Sequence, residues 1–175
     1  MVKGQDVLVL LKLFAHKGSE MPFHWLAAEL DMSPAEVHQA TKRAEEVGLL
    51  TVIPSGRGHR KLVNKGALEE FLLHALRFIC PAIHGPPTRG IPTSFGAPCF
   101  PQSITSDEML PVWPTAAGEV RGLAFSPIYR SAPFAAQRDP ALYELLVLVD
   151  AIRGGKARER EVAQVELVKR LRHGK

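Results

Sequence analysis

The chain has 175 residues, of which 46% are hydrophobic and 23% charged, and its net charge at neutral pH is +4. This length suits one domain with a core, or a small domain with an extension. A mean hydropathy of -0.01 excludes a chain that is disordered throughout, and a calculated isoelectric point of about 9.3 suits an anionic partner.

The N-terminal sequence predicts a cytoplasmic protein that does not bind the membrane. MVKGQDVLVLLKLF is interrupted by Lys12 and lacks a small-residue cleavage site, and every apolar run is shorter than the roughly 20 residues of a membrane span. Cys80 and Cys99 are too few for a disulfide framework, and a cytoplasmic setting would keep both thiols reduced. We therefore expect no structural disulfide.

The first predicted helix covers residues 6–16, DVLVLLKLFAH, with Asp6 as a cap. Only Lys12 interrupts an apolar surface that extends around nearly the whole helix. A helix of this kind is usually buried against more than one partner.

The second predicted helix is short, FHWLAAEL. A tight turn at Asp31 and Met32 connects it to a third, well-marked helix. Ser33 is its predicted cap, Pro34 occupies the first helical position, and Glu36 completes a capping box. Gly48 is predicted to end it. Helical spacing turns four small or apolar residues inward: Val37, Ala40, Ala44 and Val47.

The opposite face of this third helix is predicted to face solvent and to contact DNA. It carries His38, Gln39, Lys42 and Arg43. From the helical phase, Gln39 could pair with adenine and Arg43 with guanine in the major groove.

A β-hairpin follows, with an apolar strand at 49–53, turn residues at 54–58 and a return strand at 61–64. Residues 54–66 contain four basic and no acidic side chains, so the local charge is +4. A duplex backbone would attract such a tip.

LAAELDMSPAEVHQATKRAEEVGLL with the basic hairpin after it resembles the winged-helix transcriptional regulators of bacteria, MarR-like and related groups, over residues 5–79. The resemblance implies that the helix 34–47 enters the major groove while the hairpin, or wing, reaches the flanking backbone or minor groove. The expected DNA-binding residues are Ser33, Ala35, His38, Gln39, Lys42, Arg43, Arg57, His59, Arg60 and Lys61.

The resemblance also implies a homodimer, with the apolar first helix at the subunit interface. The alternative is that the C-terminal part of the same chain covers this helix. Winged helices serve in protein binding as well, and Glu36, Glu45 and Glu46 dilute the positive charge of the DNA-facing helix, so a protein-interaction adaptor is the competing hypothesis.

The predicted fold is mainly α: a winged helix-turn-helix at 1–79, a Pro-rich strap at 80–140 and a helical extension at 141–175. Asn64 can cap a further helix, ALEEFLLHALRFI, that Pro81 ends. The strap contains 11 of the 14 prolines together with six aromatic residues, which predicts an irregular but largely ordered segment. Short strands are expected at MLPVWP and EVRGLAF, with a turn at Gly118, and mobility is expected at 86–106.

Two helices are predicted in the C-terminal extension, separated by a stop at Gly154-Gly155. The second is expected to turn Val162, Val165, Leu167, Val168 and Leu171 inward. The run RDPALYELLVLVDAIRGGKARERE is similar to bacterial winged-helix proteins of toxin–antitoxin arrangements with nucleotidyltransferase-like partners. That resemblance implies a protein partner in addition to DNA.

No catalytic function is expected. The sequence lacks a phosphate-binding loop with its lysine, HExxH, GxSxG and a dinucleotide fingerprint. The spacing of His74, Cys80, His84 and Cys99 matches no strong zinc pattern, so no metal or cofactor is predicted. A regulator whose strap closes over a small apolar effector is an intermediate hypothesis.

Overall fold

The structure is a computed structural model that describes residues 1–17, 21–56, 58–101 and 109–173. Its N-terminal part is three helices followed by a hairpin: α1 (Gly4–Ala15), α2 (Phe23–Leu30), α3 (Pro34–Glu46), β1 (Leu50–Ser55) and β2 (Gly58–Val63). The strands are antiparallel, with Leu50 opposite Val63 and Ser55 opposite Gly58. The chain is a mixed α/β protein in which helices predominate.

The predicted start of α3 is confirmed. The Glu36 amide donates to Ser33 Oγ at 3.2 Å, and the Ser33 amide donates to the Glu36 carboxylate at 2.8 Å. Pro34 occupies the first turn, where its missing N–H leaves no bond unmade. Both partners of the capping box therefore satisfy amides that no helical carbonyl can reach.

The end of α3 differs from the prediction by one residue. Val37, Ala40 and Ala44 are buried as expected, but Val47 is 50% exposed. The helix ends at Glu46, and Gly48 adopts the left-handed conformation at φ +76°. Val47 is thus outside the regular helix, and its predicted inward orientation is wrong.

Helix α1 is covered by its own chain. Residues 7–11 and Leu13 are 0–1% exposed, and α1 packs against α3, β2 and the C-terminal helix α7 (Pro140–Gly154). The alternative in which the C-terminal part covers α1 is confirmed. The alternative in which α1 forms the subunit interface is wrong, because no apolar surface of residues 7–11 is left for a second copy.

The buried lysine of α1 is neutralised by partners on two other elements. Lys12, 1% exposed, donates to Asp139 at 2.8 Å and to Glu29 at 3.0 Å, and its ammonium lies 5.5 Å from the centre of the Trp25 ring. Asp139 also accepts the Leu142 amide at 3.1 Å and so caps α7. A buried ammonium is tolerated when it is paired in this way.

The helical segment after the hairpin is confirmed, with one irregularity. Asn64 Oδ1 accepts the Ala67 amide at 3.2 Å and caps α4 (Lys65–Glu70). A π-helical turn at Phe71–Ala75 then leads into α5 (Leu76–Ile79). The predicted helix is therefore one uninterrupted helical segment with a wider π-helical turn in its middle.

The 80–140 segment contains a small closed sheet, which is more regular than the predicted strap with two short strands. Strand β3 (His84–Pro92) pairs antiparallel with both β4 (Pro111–Pro114) and β5 (Val120–Phe125), which are parallel to each other. The two predicted short strands are confirmed; β3 was not predicted. Pro86 of β3 falls where the pairing with β5 shifts register, between His84 and Pro87, and such an irregularity tolerates proline.

The predicted mobile stretch at 86–106 overlaps this sheet. Residues 86–92 belong to β3, a short 3-10 turn follows at Ser94–Gly96, and residues 102–108 lie outside the described part of the chain. The predicted turn at Gly118 is confirmed by its amide, which donates to Thr115 O at 3.1 Å. A Cβ at Gly118 would lie 2.2 Å from the Gly90 carbonyl carbon, so only glycine permits this backbone approach.

The two predicted C-terminal helices are confirmed as α7 and α8 (Ala157–His173), separated at Gly154–Gly155. A further helix, α6 (Ala132–Arg138), precedes them and packs on α2. In α8, Leu167 and Leu171 are buried, but Val165 is 54% exposed and its predicted inward orientation is wrong.

A buried polar cluster joins the sheet to α7. The Asp150 carboxylate, 0% exposed, accepts Thr93 Oγ1 at 2.7 Å, Trp113 Nε1 at 2.6 Å and Arg153 Nη1 at 2.6 Å. Arg153 in turn donates to the Cys80 carbonyl at 2.8 Å. Buried side chains of all three predicted segments lie in one hydrophobic cluster, and the proposed domain boundaries stay a prediction.

Within the described ranges, no helix is both long and apolar enough to cross a bilayer.

Candidate nucleic-acid interface

The outer face of α3 carries four of the ten predicted DNA contacts in exposed positions. Ala35, His38, Gln39 and Lys42 are all exposed. The His38 ring lies edge-on to Phe23 of α2, with 5.4 Å between ring centres, so α2 orients the side chain. Ser33 is exposed as well, but its hydroxyl is already an acceptor in the cap.

Arg43 faces the protein interior, so the prediction that it faces solvent is wrong. Its Nε and Nη2 donate to the two oxygens of Asp6 at 2.9 and 2.6 Å, and the Asp6 side chain is fully buried. Asp6 is the third residue of α1, where its carboxylate also accepts the Lys3 amide at 2.9 Å. Arg43 is therefore a neutralising partner between two helices, and its guanidinium is not directed towards a groove of DNA.

The hairpin presents part of the predicted basic tip. His59 and Arg60 of β2 are exposed, and Arg57 lies outside the described residues. Lys61 is only 4% exposed: its ammonium donates to the Met21 carbonyl at 3.0 Å and lies 4.2 Å from the centre of the Phe23 ring. Burial lowers the pKa of Lys61. Its predicted DNA contact conflicts with this position, because the charge is directed towards α2.

A groove of about 670 Å³ separates the start of α2 from the hairpin. It is lined by Phe23 and His24 of α2, by His59 of β2 and by Pro34 at the start of α3. The buried Lys61 fixes the distance between the two sides through its bond to Met21. The start of α3 and the exposed residues of β2 therefore border the same groove.

Two residues of this surface come from a distant part of the sequence. Tyr129 Oη donates to Glu36 Oε1 at 2.8 Å, and Arg130 Nη2 donates to the same oxygen at 3.2 Å. Both residues lie between β5 and α6, so the sequence carries no local signal that would place them beside α3. Together they attach the segment before α6 to the first turn of the candidate DNA-facing helix.

Hydrogen bonds lower the pKa of Glu36 from 4.5 to about 2; the Ser33 amide contributes most, followed by the Tyr129 hydroxyl and the Ser33 side chain. A depressed carboxyl pKa stabilises the fold above about pH 4.5, and that stabilisation is lost as the pH falls towards 2.

The Glu36→Gln substitution should consequently cost stability near neutral pH and cost progressively less in acid. Urea unfolding of both proteins at about pH 7 and about pH 3 measures this difference. Tyr129→Phe, which removes one of the bonds, should give an intermediate pH dependence. An equal loss of unfolding free energy in Glu36→Gln at both pH values would contradict the assignment.

Charge on this surface is mixed. Lys42 and Arg60 are exposed cations, while Glu45 and Glu46 are exposed at the C-terminal end of α3.

Among the residues that the structure describes, no group of three or more histidine, cysteine or acidic side chains is placed to hold a metal ion.

The chain matches no protein-family model, no curated protein and no solved structure.

Proposed function

We propose that residues 1–79 form a winged helix-turn-helix that binds double-stranded DNA and that the protein is a transcriptional regulator of the MarR-like kind. The order of three helices and a hairpin supports this, as does the tight connection from α2 to α3. Asp31 adopts the left-handed conformation at φ +49° in that connection. The single observation that carries the proposal is the exposed polar row His38, Gln39 and Lys42 on a capped helix beside a hairpin with exposed His59 and Arg60.

In the proposed complex, α3 enters the major groove and the hairpin lies along the flanking backbone. Gln39 has the amide geometry to bind adenine through two hydrogen bonds. Lys42 and Arg60, with Arg57 of the sequence between the two strands, are proposed to neutralise phosphates and so to supply affinity that is independent of sequence.

The division of roles gives a test with two matched variants on one helix. Lys42→Ala should weaken binding to every duplex alike and reduce the slope of log affinity against log salt by about 0.9. Gln39→Ala should instead relax base preference at one position, at a cost of about 1–3 kcal/mol for the preferred duplex. Fluorescence anisotropy on two duplexes across a salt series separates these effects. The same effect from both variants on both duplexes would contradict the proposal.

A homodimer stays part of the proposal, since winged-helix regulators of this kind bind paired half-sites. The interface cannot be the buried core of α1. Among the residues that the structure describes, Phe78 and Ile83 are the most exposed large apolar side chains after Met1, at 72% and 70%.

The same two residues favour a second candidate function, a protein-binding adaptor. Phe78 lies in α5 and Ile83 directly before β3, away from the exposed polar row of α3 in sequence. In this alternative the partner covers residues 78–83, and duplex binding is weak and independent of sequence. The toxin–antitoxin resemblance of the C-terminal helices would then supply the partner class.

A further inference from the structure

Arg130 projects from the edge of the candidate interface and is weakly held by the protein. Its side chain is 74% exposed, and its ion pair with Glu36 has an N–O distance of 3.2 Å. It also lies 5.6 Å from the centre of the neighbouring Tyr129 ring. An exposed ion pair of this kind contributes about 0–1 kcal/mol to stability, so the fold does not depend on it.

Glu36 keeps its hydrogen bonds without Arg130. The Ser33 amide donates to one carboxylate oxygen at 2.8 Å, and the Tyr129 hydroxyl donates to the other at 2.8 Å. If the guanidinium leaves, the carboxylate still has a donor on each oxygen. Arg130 donates to Glu36 through Nη2, and its other N–H groups can be directed to a second anion while Glu36 holds the side chain.

Arg130 lies beside the part of α3 that is proposed to contact DNA. Its partner Glu36 is in the first turn of α3, three residues before Gln39 and two before His38. Glu36 is the acidic side chain of that first turn, and a phosphate approaching there would be repelled by it. A guanidinium on the same carboxylate offsets that charge, and its planar donors fit a phosphate through two parallel hydrogen bonds.

We propose that Arg130 is an additional phosphate contact of the DNA-binding surface, and that Glu36 and Tyr129 are positioning residues that hold it beside the N-terminal end of α3. The inference rests on the proposed function. It assigns part of the DNA contact to the segment between β5 and α6, outside the proposed winged helix-turn-helix.

The test uses the full chain and a duplex that it binds, with anisotropy measured from about 50 to about 200 mM salt. Arg130→Ala should reduce the salt slope by about 0.9, so its affinity deficit should shrink about 3.5-fold across that fourfold change of salt. Arg130→Lys retains one positive charge and should retain the slope. Arg121→Ala, at an exposed arginine of β5, is the matched control and should behave as the wild type.

The outcomes separate this inference from the proposed function. A wild-type slope in Arg130→Ala, with a reduced slope in Lys42→Ala, would overturn the role of Arg130 and leave DNA binding by α3 intact. Tighter binding by Arg130→Ala would also overturn it, since the side chain would then be obstructing the surface. Absence of duplex binding by the wild type would overturn both proposals.

Discussion

Replacement of Asp150 by alanine is expected to lower the free energy of unfolding by about 3–5 kcal/mol, because it leaves a buried cation without its carboxylate. The Asp150 and Arg153 side chains are 1% and 3% exposed. Trp113 Nε1, a donor only, would lose its 2.6 Å acceptor at the same time. The cluster joins the sheet to α7, so its loss removes a contact between the two.

Urea unfolding followed by circular dichroism measures this change. The double variant Asp150→Ala with Arg153→Met should recover part of the loss, because no unpaired charge then stays inside. Glu161→Ala, at an exposed acidic residue of α8, is the control and should change stability by no more than about 0.5 kcal/mol. A loss in Asp150→Ala as small as that of the control would contradict the buried pair.

The second large effect is expected at Arg43, as a loss of stability of about 3 kcal/mol in Arg43→Ala. Asp6 is fully buried, and Arg43 supplies two of the hydrogen bonds to its carboxylate. The DNA salt slope of the folded variant should be unchanged, because the guanidinium faces α1.

Lys42→Ala is the matched control for this experiment, since Lys42 is the adjacent residue and is exposed. It should keep its stability within about 0.5 kcal/mol and lose DNA affinity, the reverse of Arg43→Ala. A variant Arg43→Ala that keeps its stability but loses preference for guanine would contradict the Asp6 pairing and restore the role expected from the helical phase.

Local signals in the sequence were sufficient for the elements that they mark directly. Ser33, Pro34 and Glu36 define the start of α3 within four residues, and Gly48 defines its end through a conformation that other residues rarely adopt. Asn64 marks the start of α4 in the same way. These features depend on neighbours in the chain, so a single sequence contains what is needed to predict them.

The orientation of charged side chains was harder to predict. Arg43 is three residues after the buried Ala40, at the border of the inward face, and its direction is decided by a carboxylate 37 residues earlier in the chain. Lys61 did carry a signal: it shares one face of β2 with Val63, whose side chain packs against the hydrophobic core. Positive charge alone therefore predicted a DNA contact where the structure has an internal partner.

The proline content of the chain made the sheet at 84–125 difficult to predict. Prolines argue against a strand when its neighbours are unknown. Yet β3 pairs with strands that follow it by some 20 to 30 residues, and Pro86 falls at a register shift in that pairing. The contact of Tyr129 and Arg130 with Glu36 is another such case, because it joins residues 93 and 94 positions apart. Contacts of this range leave no periodic pattern in the sequence.

The most direct test of the proposed DNA-binding function is binding of the purified full chain to the DNA immediately upstream of its own gene, compared with an unrelated duplex across a salt series. The account predicts a preference for the upstream DNA that persists at about 150 mM salt, where binding through charge alone is weak. Equal affinity for both duplexes, lost together as salt rises, would contradict sequence-specific regulation by α3.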